Sequence, residues 1–216
     1  PSVGCIAREK GSTDEALRRL QHSARPAEVA GEFALAAQSS ILLFRIVSER
    51  QPPQTVGPLL SRTRTLVTRA GEPELSALLH ESVARQETQA ANYDEARRHL
   101  RTAMALVDRH PNAWIEQLCL INAFCIAVYE CDLRTAEERL SAAASLIETT
   151  GAFEPEIRNN QGHLYLQQGK FEKAEEILQR VSRLGSGQVP QSALDGLGRL
   201  YLATGRLDDC AKALDR

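Results

Sequence analysis

Apolar residues recur at intervals of three and four along nearly the whole chain, and no stretch sustains the alternate-residue pattern of a strand. The pattern predicts helices, with proline and glycine marking their limits. Pro26 is placed to open a long apolar helix over 27–50, which Pro52 and Pro53 close. A helix over 54–70 ends at Gly71, and Pro73 starts another over 73–90. Asn92 is positioned to cap 93–109, Pro111 to begin 111–130, and Asp132 to cap 133–150 ahead of Gly151. Pro155 starts 155–168, Gly169 turns the chain into 171–184, and a loose linker runs from Gly185 to Pro190. The expected class is all-α.

One segment is echoed within this pattern. Asn160–Leu178 (NQGHLYLQQGKFEKAEEIL) returns thirty-six residues later as Gly196–Leu214 (GLGRLYLATGRLDDCAKAL). Gly162, Leu164, Tyr165, Leu166, Gly169, Phe171, Ala174 and Leu178 fall on Gly198, Leu200, Tyr201, Leu202, Gly205, Leu207, Cys210 and Leu214. Small and large positions keep one offset, which marks a repeated helical hairpin. Fainter copies begin at Asn92, with Ala96, Leu100 and Ala103, and at Cys131, with Ala136, Leu140 and Ala143. Gly11–Ala16, followed by Leu20, reads as a remnant of another.

Composition narrows the picture. With 216 residues the chain can bury a sizeable core, and with only 5% aromatics that core is built mainly from Leu, Ala, Ile and Val, which suits close-packed helices. A net charge of −2 gives no electrostatic footprint for nucleic acid or an anionic membrane. No apolar run approaches the ~20 residues that span a bilayer, and no secretory leader is expected. The cysteines at 5, 119, 125, 131 and 210 are odd in number and form no C-x-x-C pair. They read as reduced, buried thiols, so the expected location is cytoplasmic. The chain begins at Pro1 and stops at Arg216 inside a helical pattern, as expected of a segment of a longer protein.

The spacing G-x-x-Y-x-x-x-G-x-x-x-x-A at Gly162, Tyr165, Gly169 and Ala174 recurs at Gly198, Tyr201 and Gly205, with Cys210 in the alanine position. It resembles the tetratricopeptide repeat (TPR), and in its uneven spacing the divergent repeats of large bacterial signalling and transcription-activator proteins. The resemblance implies a right-handed superhelical solenoid of about five antiparallel helix hairpins over 1–216. The match is faint over 1–72, partial over 73–150 and clear over 155–188 and 191–216, the last repeat truncated. Over the partial stretch, Phe124 and Ala127 reverse the small-then-large order.

The same resemblance implies that the first helix of each hairpin lines a concave groove, and points to Arg85, Asn122, Asn159, His163, Asp195 and Arg199 as its lining. Amides there can bond an extended peptide backbone, and arginines can hold a carboxylate. Only Asn122 and Asn160 resemble positions of the family's carboxylate clamp, whose lysine positions hold other residues here. The expected function is a non-enzymatic scaffold that recognises a protein or peptide partner. The rival is a regulatory segment that holds a small effector and controls attached signalling or DNA-binding domains. Self-association through the truncated repeat, with Leu197, Leu200 and Leu214 at its edge, is a further possibility.

Other chemistry is scarce. The histidines at 22, 80, 99, 110 and 163 make no metal-binding spacing, so no metal and no cofactor is expected. His99, four residues after Glu95, reads as half of a surface helix pair. No phosphate loop, dinucleotide fingerprint or nucleophile elbow occurs. Trp114 reads as a packing anchor, and Ile41–Val47 as a segment covered on both sides.

Overall fold

The computed structural model describes residues 13–51, 53–185 and 187–215, and all of its regular elements are helices. Gly11, Ser12 and Cys5 lie outside the described residues. In chain order the helices are α1 Thr13–Val29, α2 Phe33–Ser48, α3 Pro53–Ala70, α4 Pro73–Gln89, α5 Tyr93–Val107 and α6 Ala113–Tyr129. There follow α7 Leu133–Ser145 with a one-turn continuation Ile147–Thr150, α8 Glu154–Gln167, α9 Phe171–Ser182, α10 Gln188–Ala203 and α11 Leu207–Leu214. The chain divides into two compact units, the first ending at Asn122 and the second starting at Ala123, within α6.

One turn is used again and again. At Gly31, Ala91, Cys131, Gly169 and Gly205 the backbone takes φ of 80°, 61°, 58°, 71° and 73°. The N–H of the following residue reaches back five residues: Glu32 to the Ala27 carbonyl at 2.9 Å, Asn92 to Glu87 at 2.9 Å, Asp132 to Ala127 at 2.9 Å, Lys170 to Tyr165 at 2.9 Å and Arg206 to Tyr201 at 2.8 Å. This left-handed cap satisfies the last carbonyls of one helix and reverses the chain directly into the next. The first turn of each following helix then places a small residue at the crossing. Ala96, Ala136 and Ala174 are fully buried and Cys210 is 5% exposed.

Several boundaries differ from the sequence expectation. Pro26 does not open a helix; it sits inside α1, which runs on to Val29. Leu20, Ala24 and Ala27 stay buried on either side of it, so packing against α2 carries the helix through the missing N–H. The helix expected over 133–150 breaks at Leu146, where the Ser145 hydroxyl donates to the Ala142 carbonyl at 2.8 Å and competes with the helical ladder. Asp132 caps α7 by accepting from the Thr135 N–H at 3.1 Å. Asn92 makes no such bond to α5 and instead donates to Glu87 at 2.8 Å. The Ile41–Val47 segment of α2 is largely buried, including Arg45.

In the second unit, Gly162 of α8 lies directly under Leu178 of α9. A Cβ at 162 would stand 2.6 Å from Leu178 Cδ2. Gly198 of α10 stands in the same relation to Leu214 of α11, at 3.3 Å. Tyr201 is buried, its hydroxyl donating to Glu175 at 3.0 Å and accepting from Gln179 at 3.3 Å. Tyr165 is half-buried and receives the Gln161 amide at 3.4 Å.

Candidate functional site

In the second unit the first helices of successive hairpins, α8 and α10, lie side by side. Asn159 and His163 are one turn apart on α8, and Ser192, Asp195 and Arg199 share one face of α10. Asn159 Nδ2 donates to Ser192 Oγ at 3.1 Å, and His163 Nε2 lies 3.2 Å from the same hydroxyl. Gly196 makes this approach possible, because a Cβ there would stand 2.8 Å from His163 Cε1. The imidazole therefore rests on the bare backbone of α10. Burial is the main reason the His163 pKa falls below its ordinary value; the Arg199 charge lowers it further, while Ser192 and Asp195 oppose the shift. A neutral ring with its proton on Nδ1 accepts the Ser192 hydrogen, which completes a relay from amide to hydroxyl to imidazole. Asn159 is 7% exposed, and its Oδ1 has no hydrogen-bond partner among the described residues. Asp195 and Arg199 are exposed.

The structure thus brings Asn159, His163, Asp195 and Arg199 together. Ser192, which joins two of them, escaped the sequence reading; its signal was its place thirty-three residues after Asn159, close to the repeat offset. Arg85 and Asn122 belong to the first unit. Arg85 is half-buried and ion-paired with Glu49. Asn122 is 5% exposed, donates to the Glu81 carbonyl at 3.4 Å and accepts from the Thr88 hydroxyl at 3.2 Å. The polar ends of both are engaged by neighbouring helices.

Around them the first unit holds a polar seam. Arg45 of α2 pairs with Glu81 of α4, with side chains 8% and 1% exposed, and donates to Ser82 Oγ at 3.2 Å. One turn along, the charges are exchanged: Glu49, the C-terminal cap of α2, meets Arg85 on α4. Opposite charges thirty-six residues apart were the sequence signal for both pairs. Cys119 lies in the same region, buried, and desolvation with the Glu81 charge pushes its thiol far above the ordinary range.

Four further residues are placed differently from expectation. His99 does pair with Glu95, its Nε2 lying 3.5 Å from that carboxylate, but it is buried rather than on the surface, and its Nδ1 lies 2.8 Å from Nδ1 of His80. Cys131 is exposed because it occupies the left-handed turn position, and Cys125 is half-buried. Trp114 is 38% exposed. Among the described residues no group of three or more His, Cys, Asp or Glu is arranged to hold a metal, and no helix is long and apolar enough to cross a membrane. A cavity of about 180 Å³ lies between α7 and α8, lined by Leu140, Ala144, Ile157 and Leu164 with Arg158 and Gln161 at its rim.

The tetratricopeptide repeat profile matches residues 131–189 and 159–216, two overlapping windows that take in α7 to α11. The crystal structure of BtubC (BKLC) from P. vanneervenii is similar in fold, with a TM-score of 0.66 over 93% of this chain and 87% of that one, at 16% identity. No curated protein matches the sequence. The chain is an all-helical repeat protein, and its residues 131–216 are similar to tandem tetratricopeptide repeats.

Proposed function

We propose that the chain is a recognition module that binds an extended segment of a partner protein across the shared face of α8 and α10. The observation that carries this reading is the convergence of Asn159, Ser192 and His163 beside an exposed acid, Asp195, and an exposed base, Arg199. Repeats of this kind typically serve protein–protein interaction, and a rigid pre-stacked face binds with little ordering cost. Arg199 offers a fork for a carboxylate, Asp195 an acceptor for an amine or backbone N–H, and the half-buried imidazole an apolar platform between them. No catalytic step is assigned to this face.

The rival reading, a segment that senses a small effector, calls for an enclosed pocket. The cavity beside α8 holds about 180 Å³, below the roughly 300 Å³ at which drug-sized ligand sites begin, and the larger recess of about 490 Å³ lined by Ala24, Pro26, Leu43 and Arg62 is the more open of the two, so neither is an enclosed ligand site. The face reading is therefore preferred.

Panning a displayed random peptide library tests it, with wild type and the His163→Ala/Asp195→Ala/Arg199→Ala variant as parallel targets. Peptides enriched on wild type should bind the variant roughly ten-fold or more weakly, while its circular dichroism is unchanged. Equal binding to both would remove this face from the recognition surface.

A further inference from the structure

Helices α1 and α3 both pack on α2, and the recess of about 490 Å³ opens where the three meet. Its floor is Leu43 and Ser40 of α2, 8% and 2% exposed, with the buried Ala24 of α1 beside them. Its rim is basic: His22 and Arg25 of α1 and Arg62 of α3 are exposed there. Arg62 donates through Nη2 to Glu28 at 2.6 Å, which leaves its Nε and Nη1 donors open. The side chains of His22 and Arg25 make no hydrogen bond or ion pair among the described residues. The Thr63 hydroxyl donates to the Leu59 carbonyl at 2.8 Å, so Ser40 is the donor in the 2.7 Å bond between the two hydroxyls. Ser40 Oγ therefore meets the recess as an acceptor. The surrounding charge has the sign of the rim. Residues 13–70 hold eight arginines against five acids, in a chain whose net charge is −2.

We propose that this recess docks an acidic segment of a partner protein, one that sets an aliphatic side chain between its carboxylates. Two guanidinium forks on separate helices, Arg25 and Arg62, hold the carboxylates. The aliphatic side chain covers Leu43 and Ala24, and a backbone N–H of the segment reaches Ser40. Complementary charge selects the partner and speeds its arrival, while the apolar floor distinguishes it from a bare polyanion. The lining includes no Phe, Tyr or Trp on which a base could stack, which argues for a peptide over single-stranded nucleic acid. The site lies wholly in the first unit and does not rest on the α8/α10 face.

The probe is the rhodamine-labelled peptide SEDLDES, titrated with the whole chain at about 0.15 M salt. Its anisotropy should rise to saturation. The isostere SQNLNQS should bind roughly ten-fold or more weakly, and serine in place of the central leucine should weaken binding about five-fold. Arg25→Gln with Arg62→Gln should weaken binding of the acidic peptide roughly ten-fold. The Arg62–Glu28 pair lost in that variant is largely solvated, so its thermal midpoint should be nearly unchanged. A peptide that never saturates overturns the proposal, as does equal binding of the isostere or of the leucine-free peptide. Binding lost in the His163→Ala/Asp195→Ala/Arg199→Ala variant but kept in the arginine pair variant would overturn it by moving the peptide to the α8/α10 face. A single-stranded oligonucleotide that bound more tightly than the peptide would overturn it by assigning the recess to nucleic acid.

Discussion

Ala91 and Cys131 hold the left-handed turn position that glycine holds at 31, 169 and 205. Both are exposed, so their side chains gain little for the strain they impose. An L-residue in this region costs about 1–2 kcal/mol, and the extra freedom of an unfolded glycine returns about half of that. Ala91→Gly and Cys131→Gly should each raise stability by about 0.5 kcal/mol, read as a higher denaturant midpoint at constant slope. A midpoint that fell would mean that these side chains contribute more than their exposure implies. Gly162 is the opposite case. Its missing Cβ would stand 2.6 Å from a fully buried Leu178, which has no room to withdraw. Gly162→Ala should cost about 1–3 kcal/mol despite alanine's better helix propensity. An unchanged melting temperature would show that the α8–α9 crossing is looser than this geometry.

Pairs of residues on adjacent elements tell a second story. The Arg45–Glu81 pair joins α2 to α4 in near-complete burial, and Asn122 on α6 bonds the Glu81 carbonyl. Removing one member leaves a buried charge unanswered, which typically costs about 3–5 kcal/mol, whereas replacing both with apolar residues of similar volume is often neutral. Arg45→Met alone should therefore destabilise strongly, and Arg45→Met with Glu81→Leu should recover most of the loss. Urea unfolding of the two single variants and the double gives the coupling directly. If the losses simply added, the pair would not act as a unit.

Across the whole molecule, protonation links the two units to pH in the same direction. Burial lowers the pKa of His80, His99 and His163 below the ordinary 6.5. His80 and His99 also face each other, with Arg64 and Arg98 lowering both and Glu95 and Glu87 opposing the shift at His99. With folded values depressed, all three are neutral in both states well above 6.5 and carry no pH dependence there. As pH falls through 6.5 the unfolded chain takes up protons first, so stability declines until the folded values are passed. The thermal midpoint should drop between about pH 7.5 and 5, and His99→Asn, which keeps a polar atom toward His80, should flatten the slope. A midpoint constant over that range would show that these rings are hydrated in solution. Glu95, Asp132 and Asp209, each lowered chiefly by a side-chain hydrogen bond, act in a separate and more acid window.

The sequence alone determined that the chain is helical and repeated. Period-3.6 apolar spacing and a fixed offset between small and large residues are local, additive signals that survive divergence. That logic reached most helix limits, and it singled out Asn159, His163, Asp195 and Arg199, which the fold gathers on α8 and α10. What it could not give was which polar residues face a neighbour. Arg85 and Asn122 look like lining residues by position, yet each is engaged by an adjacent helix, and a single sequence does not say how closely helices approach. The tertiary structure decided the His80–His99 contact, the continuation of α1 through Pro26 and the exposure of Cys131. In the first two, packing across elements outweighed a local preference worth only about 1–3 kcal/mol, while Cys131 is exposed because it holds the left-handed turn between α6 and α7.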